Sequence, residues 1–222
     1  LMRELMRLLP SSVSGIFELG SRDTFREIDV FLGAAIDRGD FLDAWALYET
    51  VLLEDASLGV GVCGTGGGEI FLDPDKRILV FVGPSAAPAM ERVFKGFGLS
   101  ECHEEDLDPM IRPSMLRIRS VLEEASGAMG SVDDLLLELR SAWRLELDED
   151  PDHNLDGCGR DIGFTLWHGL ALVDQEDPAG RRYGHAHVWG VATSRRGMQH
   201  LIEAAIQIDM EWEFRETLHL DR

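Results

Sequence analysis

Two histidines one residue apart, His185 and His187, stand in the run Tyr183-Gly184-His185-Ala186-His187-Val188-Trp189-Gly190-Val191. A strand turns successive side chains to opposite faces, so both imidazoles share a face with Tyr183, Trp189 and Val191. The other face is left to small residues, over which a helix can lie closely. His168, in a second extended run, joins the pair if the register allows. Two or three imidazoles with a carboxylate make a site for zinc or iron. Here no acid occurs from Val188 to Gly197, so the set lacks its nearest carboxylate. A second metal pattern is Asp152-His153-Asn154-Leu155-Asp156-Gly157. Side-chain oxygens of Asp152, Asn154 and Asp156 alternate as in the opening of a calcium loop, and the glycine permits the sharp turn. The twelfth position is Gly163 where a bidentate glutamate would close the cage, so an ordinary Asp/Asn/Gly-rich turn is the preferred reading and a weak cation site the alternative. Together these residues define the metal alternative, a divalent ion held by His168, His185 and His187 or by Asp152, Asn154 and Asp156.

Nucleophile signatures are missing. No Gly-x-Ser-x-Gly occurs, and Ser11, Ser12 and Ser14 fall in an expected loop without a neighbouring base. Cys102 and His103 adjoin in sequence, but catalysis by such a pair needs spatial geometry that adjacency does not supply. Gly66-Gly67-Gly68 invites comparison with a phosphate loop, yet Glu69 follows where Gly-Lys-Ser/Thr is required, and an extended run continues. The glycines therefore read as a hairpin turn.

Charge is the strongest bulk feature. Forty-one acids face 21 bases for a net charge of −20, and 45% of the residues are apolar. Residues 1–125 hold 22 acids and 12 bases, and residues 126–222 hold 19 and 9, so the imbalance belongs to no tail. Nucleic acid is excluded as a direct partner, because binding it depends on Lys and Arg displacing counterions. An anionic membrane surface is disfavoured for the same reason. A basic protein, by contrast, would be drawn in quickly. The densest acid runs supply the candidate contacts: Glu101, Glu104, Glu105, Asp106 and Asp108 in one, and Glu146, Asp148, Glu149 and Asp150 in the other. Three well-separated cysteines without a Cys-x-x-Cys suggest reduced thiols in a cytoplasmic protein. The first ten residues interleave acid and base and lack the apolar centre of a signal peptide.

The elements that must position these residues follow from periodicity. A short helix is expected over 1–9, stopped by Pro10. Phe25, Ile28, Phe31, Leu32 and Ile36 recur at helical spacing and predict a helix over 24–38. Phe41, Trp45, Tyr48 and Leu52 predict the next one. A β-hairpin with a further strand is expected over 61–83, a helix over 86–96, helix or strand over 115–125, and a linker over 126–130. Ser131 is the expected N-cap of a helix bearing Leu135, Leu136, Leu139 and Trp143. Strands are expected over 163–174 and 183–193, a helix over 198–208, and an alternating strand over 211–221. The class is α+β, largely antiparallel sheet packed against helices, with two halves at 1–126 and 131–222, the second in the order α-β-β-β-α-β.

The first ~85 residues resemble bacterial immunity proteins of the SMI1/KNR4 (SUKH) type. The likeness rests on Leu9-Pro10 before apolar Val13 and Ile16, then helices, then Gly66-Gly67-Gly68-Glu69-Ile70-Phe71-Leu72-Asp73 leading into Ile78-Leu79-Val80-Phe81. Gly83-Pro84-Ser85 departs from the aromatic segment expected next. The resemblance implies a cytosolic antidote that binds and blocks a cognate toxin; apart from the metal alternative, no cofactor is expected. The function expected is therefore an acidic inhibitor or immunity protein for a basic toxin, a nuclease being one class. The alternative is a small metal-dependent enzyme or metal-binding domain at His185 and His187.

Overall fold

The computed structural model describes residues 1–102, 131–178, 180–209 and 211–222. The chain divides into two units: residues 1–20 with 29–148, and residues 21–28 with 149–222. Both are α+β.

In the first unit, α1 (Met2–Met6) precedes β1 (Ser12–Gly20), β2 (Ile28–Gly33) and β3 (Ile36–Asp37). There follow α2 (Arg38–Glu54), β4 (Leu58–Gly64), β5 (Glu69–Leu72), β6 (Ile78–Phe81), α3 (Ala87–Gly96), α4 (Val132–Trp143) and β7 (Leu145–Leu147). The sheet runs β6-β5-β4-β1-β2-β7, with β3 on β1. The pairs β1–β4, β4–β5, β5–β6 and β2–β7 are antiparallel. Period-2 alternation places Val13 and Phe17 of β1 against Val60 and Val62 of β4 in one core with Phe41, Trp45, Leu135, Leu139 and Trp143 from the helices. The rings of Phe41 and Trp143 stack at 4.4 Å, and Trp143 Nε1 donates to the Phe41 carbonyl at 3.3 Å. Gly66, Gly67 and Gly68 have φ of +108°, +95° and +113°, values open to glycine, and they turn β4 directly into β5. The loop joins strand to strand, so it is a hairpin turn. At Gly61 any Cβ would lie 2.6 Å from the Phe71 ring and 2.7 Å from the Ile70 carbonyl oxygen.

Two expectations fail in this unit. Residues 28–33 form a strand where helical spacing predicted part of a helix over 24–38. Asp37 explains the helix start, since its carboxylate accepts from Gly39 N at 2.6 Å and caps α2 instead. The serines expected in a loop open β1, with Ser12 and Ser14 on the strand. The boundary at 126–131 also moves: α4 and β7 belong to the first unit, because Trp143 fills its core and β7 pairs with β2. The element expected over 115–125 and the linker over 126–130 lie outside the described residues.

The second unit holds β8 (Thr165–Asp177), β9 (Gly180–Ala192), α5 (Arg195–Asp209) and β10 (Glu213–Asp221). Its antiparallel sheet has the order β10-β8-β9. Trp167, Ala171 and Val173 of β8, Ala186 and Ala192 of β9, and Leu220 of β10 pack against Met198, Ile202 and Ile206 of α5. The small residues read on one face of β9 thus meet a helix. The order over 132–221 is α-β-β-β-α-β, and its first strand joins the other sheet.

A buried ionic cluster ties segment 21–28 into this unit. The Arg222 side chain is fully buried; its Nε donates to Asp23 at 2.7 Å, and its Nη1 donates to Asn154 Oδ1 at 2.7 Å and the Leu155 carbonyl at 2.6 Å. Its guanidinium lies 5.7 Å from the Phe25 ring centre and 5.3 Å from that of Trp167. Arg26 bonds Asp23 at 3.0 Å, and Glu149 sits 3.4–3.9 Å from Arg222, Arg26 and Arg195. Burial outweighs these three cations and holds the Glu149 carboxyl above the usual carboxylate range.

Candidate functional site: an acidic two-helix face

On α2 the exposed residues Asp40, Asp43, Leu47, Thr50 and Glu54 follow one another at steps of three and four, which puts them on a single stripe. The opposite stripe, Phe41, Ala44, Trp45 and Leu52, is buried in the core. On α4, packed against α2, the buried stripe is Leu135, Leu136, Leu139 and Trp143, which turns Asp133, Asp134, Leu137 and Glu138 outward. The two surfaces meet near Tyr48 of α2, whose phenol is held above its ordinary value by partial burial and then by the charge of Glu138 on α4. Two apolar side chains stand among these acids: Leu47 is 77% exposed and Leu137 44%. The bases of the two helices are turned onto backbone oxygens. Arg38 donates to the carbonyls of Arg7 and Leu9, and Arg140 to that of Leu145 at 3.4 Å. The two packed helices therefore carry six exposed carboxylates and two exposed leucines, the residue types of a polar rim and a dry contact.

These carboxylates lie outside the runs that sequence density singled out. Glu101 is exposed, while Glu104, Glu105, Asp106 and Asp108 lie outside the described residues. Glu146 and Asp148 are exposed beside or on β7. Glu149 is not a surface acid: its side chain is 8% exposed within the arginine cluster. Asp150 accepts from Asp152 N at 2.9 Å and pairs with His153 Nδ1 at 2.7 Å. That carboxyl is held below its ordinary range by the Asp152 backbone bond and then by His153, and His153 is raised by Asp150. The signal for the helical face was available in the spacing of Asp40, Asp43 and Glu54, which run density ignores.

The second unit settles where the histidines stand. His168 lies directly across from Trp189, and their rings stack at 4.3 Å. His168 Nε2 is 2.9 Å from His187 Nδ1, with ring centres 5.2 Å apart and planes within 7°. A ring nitrogen sits roughly 1.15 Å from its centre, so these distances describe two nearly coplanar rings joined edge to edge by one N–H···N bond. Partial burial, then the neighbouring His187, hold His168 below the ordinary imidazole value. His185 is exposed two residues along the same face. The carboxylate near the pair was missed in sequence: Asp221 of β10 is the cross-strand partner of His168, and it pairs with His219 Nε2 at 2.6 Å.

The oxygens of the alternative cation loop are engaged elsewhere. Asp156 accepts from the backbone of Cys158 and Arg160 at 2.9 Å and from Arg160 Nε at 2.8 Å. Asn154 is buried, bonding Arg222 and Thr165, and Asp152 pairs with Arg196 at 2.7 Å. Among the described residues no three His, Cys, Asp or Glu side chains converge on a metal position. Comparison with known proteins returns no match to a family model, a curated protein or a solved structure.

Proposed function

We propose that this chain is a binding protein that receives a basic protein on the α2/α4 face, in the manner of an inhibitor or immunity protein covering the active site of a toxin. The observation that carries the reading is the exposed Leu47 on the stripe of Asp40, Asp43 and Glu54, on a helix packed against α4, which exposes Asp133, Asp134 and Glu138. Carboxylates spread over two rigid helices steer a cationic surface into register, and the leucines supply the contact that desolvates on docking. A nuclease suits such a face, because a cleft built for phosphates must itself be basic. The net charge of −20 extends the attraction beyond the contact. The partner and the protein would meet in the cytoplasm, with which the three free cysteines accord.

The test uses two columns, one carrying the native protein and one the variant Asp40→Asn, Asp43→Asn, Asp133→Asn, Glu138→Gln, both washed with host lysate and eluted with a salt gradient. The reading expects one basic protein on the native column, released at high salt and absent from the variant. Retention unchanged by the four amides, or no specific retention on either column, would overturn it.

A further inference from the structure

The two edges of the second sheet are built differently. β10 pairs with β8 through two register shifts, between Phe214 and Glu216 and between Thr217 and His219, and it carries Glu213, Arg215 and Glu216. Bulges and charges are the ordinary protection of an edge strand against further pairing. β9 has neither. It pairs with β8 residue for residue from Gly180 to Ala192, and among the described residues no strand pairs with its outer edge. From Tyr183 to Ala192 it contains no Asp, Glu, Lys, Arg or Pro. An unbroken edge of this length offers a row of backbone donors and acceptors to another strand.

The layer above that edge is also apolar. Leu201 and Ile208 of α5 lie seven residues apart on one helical stripe and are 45% and 79% exposed. The stripe reaches over β9, since a Cβ at Gly190 would lie 3.8 Å from Leu201 Cδ1. On the sheet's other face, Tyr183, Trp189 and Val191 of β9 are 64%, 66% and 56% exposed. The edge is thus flanked by exposed apolar side chains both above and below.

We infer that β9 is a self-association edge, and that a second copy of this chain pairs with it antiparallel about a two-fold axis to make one continuous six-stranded sheet. The occupant follows from the flanks. An extended peptide would satisfy the backbone groups and leave Leu201 and Ile208 bare, whereas a second copy brings its own α5 alongside. Self-complementarity holds along the strand: an axis at Ala186 or His187 sets Tyr183 opposite Trp189 or Val191 of the second copy, pairings of the kind that stabilise sheets. With no acid on β9 beyond Tyr183, the large negative charge does not oppose contact locally. Nine residues at ~3.3 Å each, over two layers on the order of 20 Å deep, give roughly 600 Å² per copy, the low end of specific interfaces. This surface is separate from the α2/α4 face, so the two readings stand or fall independently.

The experiment is sedimentation equilibrium of the full chain from micromolar to near-millimolar concentration. It is run on the native protein, on His185→Lys with His187→Lys, and on Ile208→Glu, with amide exchange of β8 checking that each variant folds. The two lysines are exposed in one copy and face like charges across the axis in a dimer. The expected result is a native dimer weakened about tenfold or more by the lysine pair, and also weakened by Ile208→Glu. A native protein that stays monomeric throughout would overturn the inference. So would a dimer that neither variant weakens.

Discussion

Replacing Arg222 by alanine removes a guanidinium with no solvent exposure that bonds Asp23, Asn154 and the Leu155 carbonyl. Asp23 keeps Arg26 at 3.0 Å, so its carboxylate is not orphaned, and the loss falls short of a fully broken pair. Asn154 Oδ1 and the Leu155 oxygen lose a buried donor, worth about 1–3 kcal/mol each when unreplaced, and such terms are not additive. Breaking a buried ion pair from one side costs about 3–5 kcal/mol. With Arg26 still in place, about 3 kcal/mol is the expected loss for the second unit. At roughly 4–8 °C per kcal/mol for a unit of this size, its melting temperature falls by about 12–24 °C. The assay is native-state hydrogen exchange of the β8 amides in low urea, which reads this unit without interference from Trp45 and Trp143 of the other. Arg222→Lys keeps the charge and gives up the planar fork, so it should fall between the two. A loss under about 1 kcal/mol for Arg222→Ala would refute the view that this cluster fastens residues 21–28 to the sheet.

Gly61→Ala should destabilise the first unit by about 1–3 kcal/mol in urea unfolding, because the added Cβ meets the Ile70 carbonyl oxygen, which cannot move aside like a side chain. Proton NMR should show His153 titrating above the ordinary imidazole value and His168 below it. The Asp150–His153 pair then supports folding only between the carboxylate and imidazole ranges. Its His153 part is present below the unfolded imidazole value and lost as pH rises through the raised folded one. Its Asp150 part is present above the unfolded carboxylate value and lost as pH falls through the depressed one. His168, resisting protonation when folded, makes the protein lose stability as pH drops through the ordinary imidazole value; His168→Phe should remove that slope, and a slope left unchanged would point elsewhere. For the acidic face, the fourfold amide variant should bind a captured partner about 10–100-fold more weakly at low salt, with the gap closing as salt rises.

The second unit was largely legible, because its elements are long and regular. The small-large alternation of Tyr183–Val191 marked β9 and its helix-facing side, and the Met198-Leu201-Ile202-Ala205 stripe marked α5. Residues 24–38 misled because Phe25, Ile28, Phe31 and Leu32 fit helical spacing and a bent extended run alike; Gly33 and the Asp37 cap were the local signals that decided against a helix. The boundary between units could not be read, since β7, which follows α4, completes a sheet begun more than a hundred residues earlier, and such long-range pairing leaves no local mark. Sites were harder still. Charge density favoured Glu149, which folding buries among arginines, and overlooked the acids of α2, whose meaning appears once the helix sets them on one stripe. The His168–His187 contact needed the register of β8 on β9, and Asp221 needed that of β10.

Hydrogen-exchange mapping of the protein with its captured partner shows where the partner docks. Docking on α2 and α4 should give new protection over residues 40–54 and 133–141, on the outward sides of the two helices, lost when Leu47 is replaced by Asp. Protection confined to the second unit, or left intact by Leu47→Asp, would contradict it.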